Sequence, residues 1–559
     1  MTIVRSPMVV AGTRLTQEMI EEFQSTGDWS GRLLTDYLDE GARSFPEKIA
    51  FVDARREITY GALRSETDRC AQGLVALGVG PGDVVSVQLP NWIEWVVLFL
   101  ATKRIGAVLN TLVPIYRERE LKFMLDLARP KVLVVPREFR GFDHAQMMQS
   151  LVSGLPCVQH ILVIGDPLEG TEQWADFATR AWENEPDAVD LDARRPDPND
   201  ITLLIFTSGT TGEPKGVMHT HNTLGACTSD LPRRQFVTSD TVVHMASTMG
   251  HLTGLLWGAQ MTIQEGATCI LQEKWSAGEF VELVERHKIT YTTAATPFLS
   301  DLLGLQDLAE HDVSSLQRFV CAGAPIPRAM VRLAKERLPN LVVAGGWGQT
   351  ENGLVTASAP TDPPAKIIDS DGYPLKGMAV RVVDQFGNPL PVGAEGRLEA
   401  KGAYTFIGYA YRAETTAESF DGEWFRTGDL AVVDEQGYLR ITGRTKDVII
   451  RGGENIPVAY IENVLFEHPN ISDVAVVGTP DPRLQERACA CIVLAPDTAG
   501  ITLEEIQEFL GSRGVARQYW PERLEVLAGL PRTASGKIQK FVLRQEAAEL
   551  VQRDRPSDR

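Results

Sequence analysis

Residues 201–216 read ITLLIFTSGTTGEPKG, an apolar run that passes directly into a segment rich in glycine and hydroxyl residues. A buried strand that ends in such a turn suits phosphate binding, because glycines let the backbone approach an anion and consecutive N–H groups can surround it. The hydroxyls add donors and Lys215 adds a positive charge. The Walker pattern G-x-x-x-x-G-K-[ST] does not occur in this segment. We therefore predict a phosphate site of a different type, and from this segment alone an ordinary surface loop stays open as the alternative.

Short apolar runs alternate with helical patterns around this segment. Strands are predicted at 84–90, 131–136, 160–165 and 201–206, and a helix with a wide apolar face follows the first of them. Alternation of this kind predicts parallel sheets with helices on both faces. From about residue 378 the hydrophobic pattern changes to a period of two, broken by turn residues, which predicts a small antiparallel or barrel-like unit.

The length of the chain requires more than one domain. A single hydrophobic core serves roughly 250–300 residues, and this chain has 559. We place the boundary at 444–447, between an N-terminal domain of residues 1–443 and a C-terminal α+β domain of residues 448–559. In the C-terminal domain we predict a helix around 458–467 and strands at 473–478 and 488–494.

The composition argues against several classes of protein. The 55 basic and 74 acidic residues give a net charge of −19, which argues against nucleic acid as a partner. Seven cysteines without a C-x-x-C pair indicate reduced thiols that pack as small apolar side chains. The longest apolar stretch, 95–109, is interrupted by Lys103 and Arg104, and the first residues lack the apolar core of a signal peptide. We expect a cytoplasmic protein without a membrane span, and the sequence leaves its oligomeric state open, a homo-oligomer included.

The segment 207–216 resembles the signature T-S-G-T-T-G-x-P-K-G of the adenylate-forming superfamily, which contains acyl-CoA synthetases, firefly luciferases and nonribosomal-peptide adenylation domains. Four further segments resemble that superfamily in the same order, so the similarity extends from about residue 30 to about residue 545. It implies an α/β fold with a large N-terminal domain of two doubly wound sheets and a small β-barrel-like subdomain, followed by a small mobile α+β C-terminal domain. It also implies that residues of the phosphate loop bind ATP. These are Thr207, Ser208, Gly209, Thr210, Thr211, Gly212 and Lys215.

A second segment, GWGQTE at 346–351, is similar to the superfamily's aromatic-Gly-x-Thr-Glu motif. Trp347 offers a flat apolar face for adenine, and Glu351 is a hard oxygen ligand that suits Mg²⁺ on the triphosphate. The resemblance implies that Thr350 contacts the α-phosphate and that Gly346 and Gly348 belong to the nucleotide site. Many relatives have Tyr in place of Trp347, an exchange that keeps the stacking face and removes the hydroxyl.

Two more segments complete the predicted nucleotide site. Gly323, Ala324 and Pro325 resemble the segment that lines both the adenine and the acyl sites, with a tight strand-to-loop turn as the alternative. The resemblance implies that Asp429 accepts both ribose hydroxyls, which a carboxylate can do with its two oxygens. It also implies that Arg444 contacts the ribose or a phosphate.

The predicted acyl site begins at His251, in a motif similar to the superfamily's His-x-x-Gly. A lone histidine beside apolar residues is more often part of a core. The resemblance implies that this one shapes the acyl and CoA channel and assists carboxylate binding. We predict that Met249, Thr253 and Trp257 contribute apolar or neutral side chains to the acyl pocket, which suits a hydrophobic acid.

Three features of the C-terminal region are singled out by the resemblance. Lys537 matches the superfamily's C-terminal lysine, although a surface lysine is the ordinary interpretation outside that motif. Gly452 and Gly453 resemble the loop that borders the pantetheine chain of CoA. Lys446 matches the position about which the two domains hinge, with an exposed linker residue as the alternative.

Together these motifs predict an ATP- and Mg²⁺-dependent acid–CoA ligase that forms an acyl-adenylate and then an acyl-CoA thioester. The segments 111–121 and 140–144 resemble ligases for cyclohexanecarboxylate and related medium-chain or alicyclic acids. One alternative is an aryl-acid ligase that loads a carrier protein. Another is a catalytically silent ATP- or acyl-binding relative, against which five intact residues argue. These are Lys215, Glu351, Asp429, Arg444 and Lys537.

Overall fold

The computed structural model describes residues 13–186, 188–207, 214–445, 447–451, 454–456, 458–496, 498, 500–533 and 536–553. Within them the chain forms an α/β architecture with four main sheets, which we call sheet A, sheet B, the barrel sheet and the C-terminal sheet. A separate hairpin of two short strands joins Glu138–Phe139 to Phe142–Asp143.

Sheet A has nine strands, and it is parallel from Val342–Gln349 across to Ile49–Val52. Its outermost strands are antiparallel to their neighbours. The carboxyl ends of Arg318–Cys321 and Val342–Gln349 therefore lie side by side at one edge, where ligands of parallel α/β sheets bind. In spatial order the strands are Tyr373–Pro374, Gly353–Ala357, Val342–Gln349, Arg318–Cys321, Tyr291–Ala294, Val242–Met245, Thr268–Leu271, Ile49–Val52 and Glu57–Thr59.

Sheet B has eight strands, of which six are parallel. Four of these six are the strands predicted from the sequence. The phosphate loop lies between Ile201–Thr207 and the antiparallel strand Lys215–Thr220, with Thr207 opposite Lys215. In spatial order the strands are Gly408–Tyr409, Lys215–Thr220, Ile201–Thr207, Val108–Thr111, Val84–Val87, Val132–Pro136, His160–Ile164 and Glu172–Gln173.

The period-two pattern after residue 378 forms the antiparallel barrel sheet, which confirms the predicted change of architecture. Its strands are Met378–Val383, Gly396–Gly402, Trp424–Val433, Phe420–Asp421 and Leu439–Arg444. The C-terminal sheet begins five residues after Arg444, at Ile449. Its strands are Glu454–Ile456, Ile449–Arg451, Gln485–Leu494, Ile471–Asp481 and Arg523–Val526.

Helices cover the sheets, and the helix Ile93–Arg104 shows why the sequence around it is apolar on every side. All of its residues are buried in the core that sheets A and B share. Lys103 donates to the Thr202 hydroxyl at 3.2 Å, and burial lowers the pKa of Lys103 to about 7. None of the helices within the described ranges is both long and apolar enough to cross a membrane. All seven cysteines are free thiols.

The other helices, in chain order, are Gln17–Ser25, Leu34–Ser44, Tyr60–Ala76, Glu118–Ala128, His144–Val152, Trp174–Thr179, His221–Cys227, Leu231–Arg234, Leu252–Gly254, Met261–Glu265, Ala277–His287, Thr296–Gly304, Arg328–Arg337, Pro364–Asp369, Ala413–Glu418, Val458–Leu465, Leu503–Ser512 and Lys540–Arg553. Short 3₁₀ turns lie at Trp182–Asn184, Leu308–Glu310 and Arg517–Tyr519, and Leu255–Gln260 is a π-helical turn.

Candidate functional site

A cavity of about 1510 Å³ opens where the carboxyl edge of sheet A, the barrel sheet and the C-terminal region meet. It gathers predicted residues that are far apart in the sequence, from three of the motifs and from the C-terminal lysine segment. These are Gly323, Ala324, Pro325, Gly346, Trp347, Gly348, Asp429, Arg444 and Lys537.

Asp429 lies on the wall of this cavity and is only 3% exposed. Its Oδ2 accepts hydrogen bonds from the Trp347 indole N–H at 2.9 Å and from the Gln349 amide at 2.8 Å. Its Oδ1 accepts a bond from the Arg444 Nε at 2.8 Å. A carboxylate offers about four lone-pair positions, so these three bonds leave room for about one more donor.

The strands themselves bring these donors together. Asp429 and Arg444 lie opposite each other in the antiparallel pair Trp424–Val433 and Leu439–Arg444, so their side chains share a face. The nearby Asp429 charge raises the pKa of Arg444. Trp347 and Gln349 are two residues apart on one strand of sheet A, and alternate residues of a strand also point to the same side.

The role of Gln349 was missed in the sequence analysis, and that of Trp347 was only partly predicted. The sequence suggested that Trp347 offers a flat face to adenine, whereas the structure shows that its indole N–H also donates a hydrogen bond to Asp429. Gln349 bonds to Thr427 O at 2.9 Å as well as to Asp429. The two-residue spacing of Trp347 and Gln349 was a usable signal, because it places both side chains on one face of a strand.

Lys537 reaches the cavity from a tight turn in the C-terminal region. Thr533 N–H donates to Lys537 O at 2.7 Å, and Lys537 N–H donates to the Thr533 hydroxyl at 3.1 Å. Gly536 has a φ of +83°, and a Cβ there would lie 3.4 Å from Pro297, so the turn rests against the sheet A side of the cavity. Burial and the Arg444 charge lower the pKa of Lys537, against the opposite effect of Asp429 and Glu351. The lysine therefore lies among the charged groups of the predicted site.

His251 lies immediately before the helix Leu252–Gly254, and the residue as a whole is half-buried. Burial, with the Lys537 charge as the second cause, lowers the pKa of His251 to about 4. The imidazole is therefore neutral at neutral pH. Its Nε2 is buried and has no hydrogen-bond partner among the described residues.

Thr350 and Glu351 follow the strand Val342–Gln349, and side chains from sheet B hold both. The buried His219 donates from Nε2 to Thr350 O at 2.8 Å, and burial lowers the pKa of His219 to about 4. The Tyr409 hydroxyl donates to Glu351 Oε1 at 3.0 Å. Neither His219 nor Tyr409 was assigned a role from the sequence.

Several predicted residues lie outside the described parts of the chain. These are Ser208, Gly209, Thr210, Thr211 and Gly212 of the phosphate loop, the hinge residue Lys446, and Gly452 and Gly453 of the CoA loop. The described ends of the phosphate loop, Thr207 and Lys215, are paired across a hairpin.

The predicted acyl-pocket residues lie close to His251 in the sequence. Met249 and Trp257 are almost fully buried in the core of sheets A and B, and Thr253 is half-buried. Trp257 lies in the π-helical turn Leu255–Gln260, a feature that is frequent at functional sites. These three side chains do not line the cavity described above, and their role in acyl binding stays a prediction.

Replacing Lys537 with Ala should raise the pKa of His251 from about 4. The substitution removes a positive charge that disfavours the imidazolium, while burial keeps the pKa below the ordinary 6.5. Histidine-selective NMR titration of the full chain measures the shift. His244, whose pKa is also lowered to about 4 by burial but without Lys537 as a cause, should not change. An unchanged pKa of His251 would contradict the placement of Lys537 beside it.

Comparisons with known proteins agree with this geometry. A model of the AMP-binding enzyme family matches residues 38–410, and a model of the AMP-binding enzyme C-terminal domain matches residues 460–537. The medium-chain fatty-acid–CoA ligase of Escherichia coli (strain K12) is 35% identical over 534 residues, which are 95% of this chain and 93% of that protein. The salicyl-AMP ligase / salicyl-S-ArCP synthetase of Mycobacterium tuberculosis is 34% identical over 535 residues, 93% of this chain and 91% of that protein.

Among solved structures, an anthranilate CoA ligase in complex with anthranoyl-AMP superposes with a TM-score of 0.84 at 26% identity, and the match covers 93% of this chain and 98% of that one. Family model, relatives and fold thus agree over nearly the whole chain. The chain therefore belongs to the AMP-binding enzyme family and is an adenylate-forming acid ligase of the acyl-CoA synthetase type.

Proposed function

We propose that this ligase activates a hydrophobic carboxylic acid with ATP and Mg²⁺ and then transfers the acyl group to the thiol of coenzyme A. The observation that carries the proposal is the position of Lys537, which lines the same cavity as Trp347, Asp429 and Arg444. A cation from a separate part of the chain thus enters a site whose other walls suit a nucleotide.

In the first step a carboxylate oxygen attacks the α-phosphorus of ATP, the bond to the bridging oxygen breaks, and pyrophosphate leaves. The two reacting anions repel each other, so a cation placed between them lowers the barrier. We assign this role to Lys537, with Thr350 as a donor to the α-phosphate. The neutral His251 bonds to the substrate carboxylate through its unpaired Nε2. Lys215 and the rest of the phosphate loop hold the departing pyrophosphate.

Glu351 has the properties that a Mg²⁺ site requires. Its carboxylate is half-buried, and its Oε1 already accepts a bond from Tyr409. No hydrogen bond to Oε2 is found within the described ranges of the chain. Mg²⁺ is usually bound by one or two carboxylates together with substrate phosphates, so a single oriented carboxylate fits. When bound, the ion would neutralise charge on the phosphates.

In the second step the CoA thiol attacks the acyl-adenylate and AMP leaves. Lys537 has no charge to neutralise between carboxylate and phosphate at this stage. We propose that the region from Ile449 onward turns about Lys446 in the boundary 444–447, so that Gly452 and Gly453 replace Lys537 beside the adenylate. The family resemblance supports this step.

The acid is proposed to be medium-chain or alicyclic. Support comes from the apolar side chains around His251 and from the similarity to a ligase named for medium-chain fatty acids. A second candidate is an aryl acid that is loaded onto a carrier protein. It is favoured by the similarity to a salicyl-AMP ligase / salicyl-S-ArCP synthetase at nearly the same identity.

Acid-dependent exchange of pyrophosphate into ATP separates these candidates. Over a panel of medium-chain, cyclohexane and aryl acids, we expect exchange to be fastest with the medium-chain or cyclohexane acids. Adding CoA to the best acid should yield a thioester that mass spectrometry detects. Fast exchange with salicylate or benzoate alone, without a CoA thioester, would favour the carrier-protein function. Exchange with no acid of the panel would contradict a ligase for these acids.

The ribose site follows from the bonds to Asp429. Because Trp347, Gln349 and Arg444 already occupy three positions on its oxygens, the carboxylate has room for one ribose hydroxyl. A second hydroxyl requires one donor to turn away.

Trp347→Phe should raise the KM for ATP by about tenfold, because a hydrogen bond to a charged group contributes about 1.5–3 kcal/mol. Phe keeps an aromatic face for adenine and loses only the N–H, so the KM for the acid should change little. Gln349→Leu tests the second donor to the same oxygen. The double variant should lose less than the product of the two single effects, since both donors act on one carboxylate. Independent, fully multiplicative effects would argue against a shared role.

A further inference from the structure

Residues 406–410 contact the predicted metal ligand at two points. The Tyr409 hydroxyl donates to Glu351 Oε1 at 3.0 Å, and the Tyr409 side chain is only 3% exposed. The Phe406 N–H donates to Glu351 O at 2.7 Å. One short segment therefore holds both the backbone and the carboxylate of Glu351.

The same tyrosine also meets the phosphate-loop lysine. The Lys215 Nζ lies 4.7 Å from the centroid of the Tyr409 ring, within the range of a cation–π contact. Backbone pairing sets this contact, because Val217 lies opposite Tyr409 in antiparallel register. Lys215 is two residues before Val217 on the same strand, so both side chains point to the same side of the sheet. The Ala410 N–H donates to Gly216 O at 2.8 Å.

We propose that Tyr409 is a positioning residue that holds the carboxylate of Glu351 and the ammonium of Lys215 at a fixed separation. The Mg²⁺ complex of pyrophosphate can then bind to both groups at once. The inference rests on the proposed function, in which these two residues bind Mg²⁺ and pyrophosphate. With its hydroxyl bonded to Oε1, Tyr409 restrains the position of the carboxylate and leaves Oε2 for the ion.

The chemistry of the hydroxyl supports this role. An ordinary tyrosine hydroxyl has a pKa of about 10, so a phenol is protonated at neutral pH. The Tyr409 hydroxyl therefore donates to Glu351 at neutral pH. Partners that orient a metal ligand in this way typically contribute 10–100-fold to metal affinity.

Tyr409→Phe removes the hydroxyl and keeps the ring that faces Lys215. We expect the variant to bind the Mn²⁺ complex of a non-hydrolysable ATP analogue about tenfold more weakly than the unaltered chain does. Water proton relaxation measures this binding, because Mn²⁺ replaces Mg²⁺ and reports its own environment. Affinity for the metal-free analogue, measured by calorimetry, should stay unchanged, which a general structural defect would not allow.

The chain offers a matched control five residues earlier. The Tyr404 hydroxyl is also buried and donates to Lys376 O at 2.7 Å, away from Glu351. Tyr404→Phe should therefore bind the Mn²⁺ complex as the unaltered chain does. Tyr409→Leu removes the ring as well, and it should bind the Mn²⁺ complex more weakly than Tyr409→Phe because Lys215 loses its aromatic neighbour.

Equal Mn²⁺-nucleotide affinity in Tyr409→Phe and the unaltered chain would overturn the proposal. So would a parallel loss of affinity for the metal-free analogue, or the same loss in Tyr404→Phe. The binding measurement needs no turnover. Failure of pyrophosphate exchange with every acid would therefore contradict the proposed function, while the Mn²⁺ titration would still decide the role of Tyr409.

Discussion

The hydrogen bonds to the Asp429 carboxylate are the constraint on which the proposed nucleotide site depends. Trp347 and Gln349 reach it from a strand of sheet A, and Arg444 reaches it from the last strand of the barrel sheet. A nearly buried carboxylate destabilises a fold by several kcal/mol unless its oxygens are bonded or paired. The hydrogen bonds that satisfy the Asp429 oxygens therefore also join sheet A to the barrel sheet. They do so at Arg444, after which the C-terminal region begins. The proposed ribose site thus contains a carboxylate that is already oriented, so little reorganisation would accompany binding.

Lys537, the predicted catalytic lysine, and Lys215, predicted to bind ATP, differ in how firmly the fold holds them. Lys215 begins a strand of sheet B and packs over the Tyr409 ring, so it is part of a rigid element. Lys537 instead stands on a turn that touches the opposite wall through Gly536 and Pro297. An exposed ion pair joins Arg332 of the helix Arg328–Arg337 to Glu467 of the C-terminal region at 3.4 Å, and such pairs contribute only about 0–1 kcal/mol. Contacts of this kind can be lost at a small free-energy cost, which suits the role proposed for Lys537 in one of the two steps.

Much of the fold could be predicted from local pattern. Short buried runs of Val, Ile and Leu determined the parallel strands, and the period-two alternation marked the barrel sheet. The motifs also identified charged residues that line one cavity. Sequence could not show which side chains hold those residues, because Gln349 acts on a residue 80 positions away, Tyr409 on one 58 away and His219 on one 131 away. Pairings over such distances depend on how the strands are ordered in the sheets, and no local pattern records that order.

In the proposed mechanism Lys537 serves the adenylation step alone. The most direct measurement compares the two half-reactions of Lys537→Ala, with the exposed lysine variant Lys335→Ala as the control. Pyrophosphate exchange should fall by roughly 100-fold or more, as when one preorganised transition-state donor is lost. The rate of thioester formation from presynthesised acyl-adenylate and CoA should stay within about twofold of that of the unaltered chain. A change of that size is well below the tenfold that 1.4 kcal/mol represents. An equal loss in both half-reactions would contradict the account.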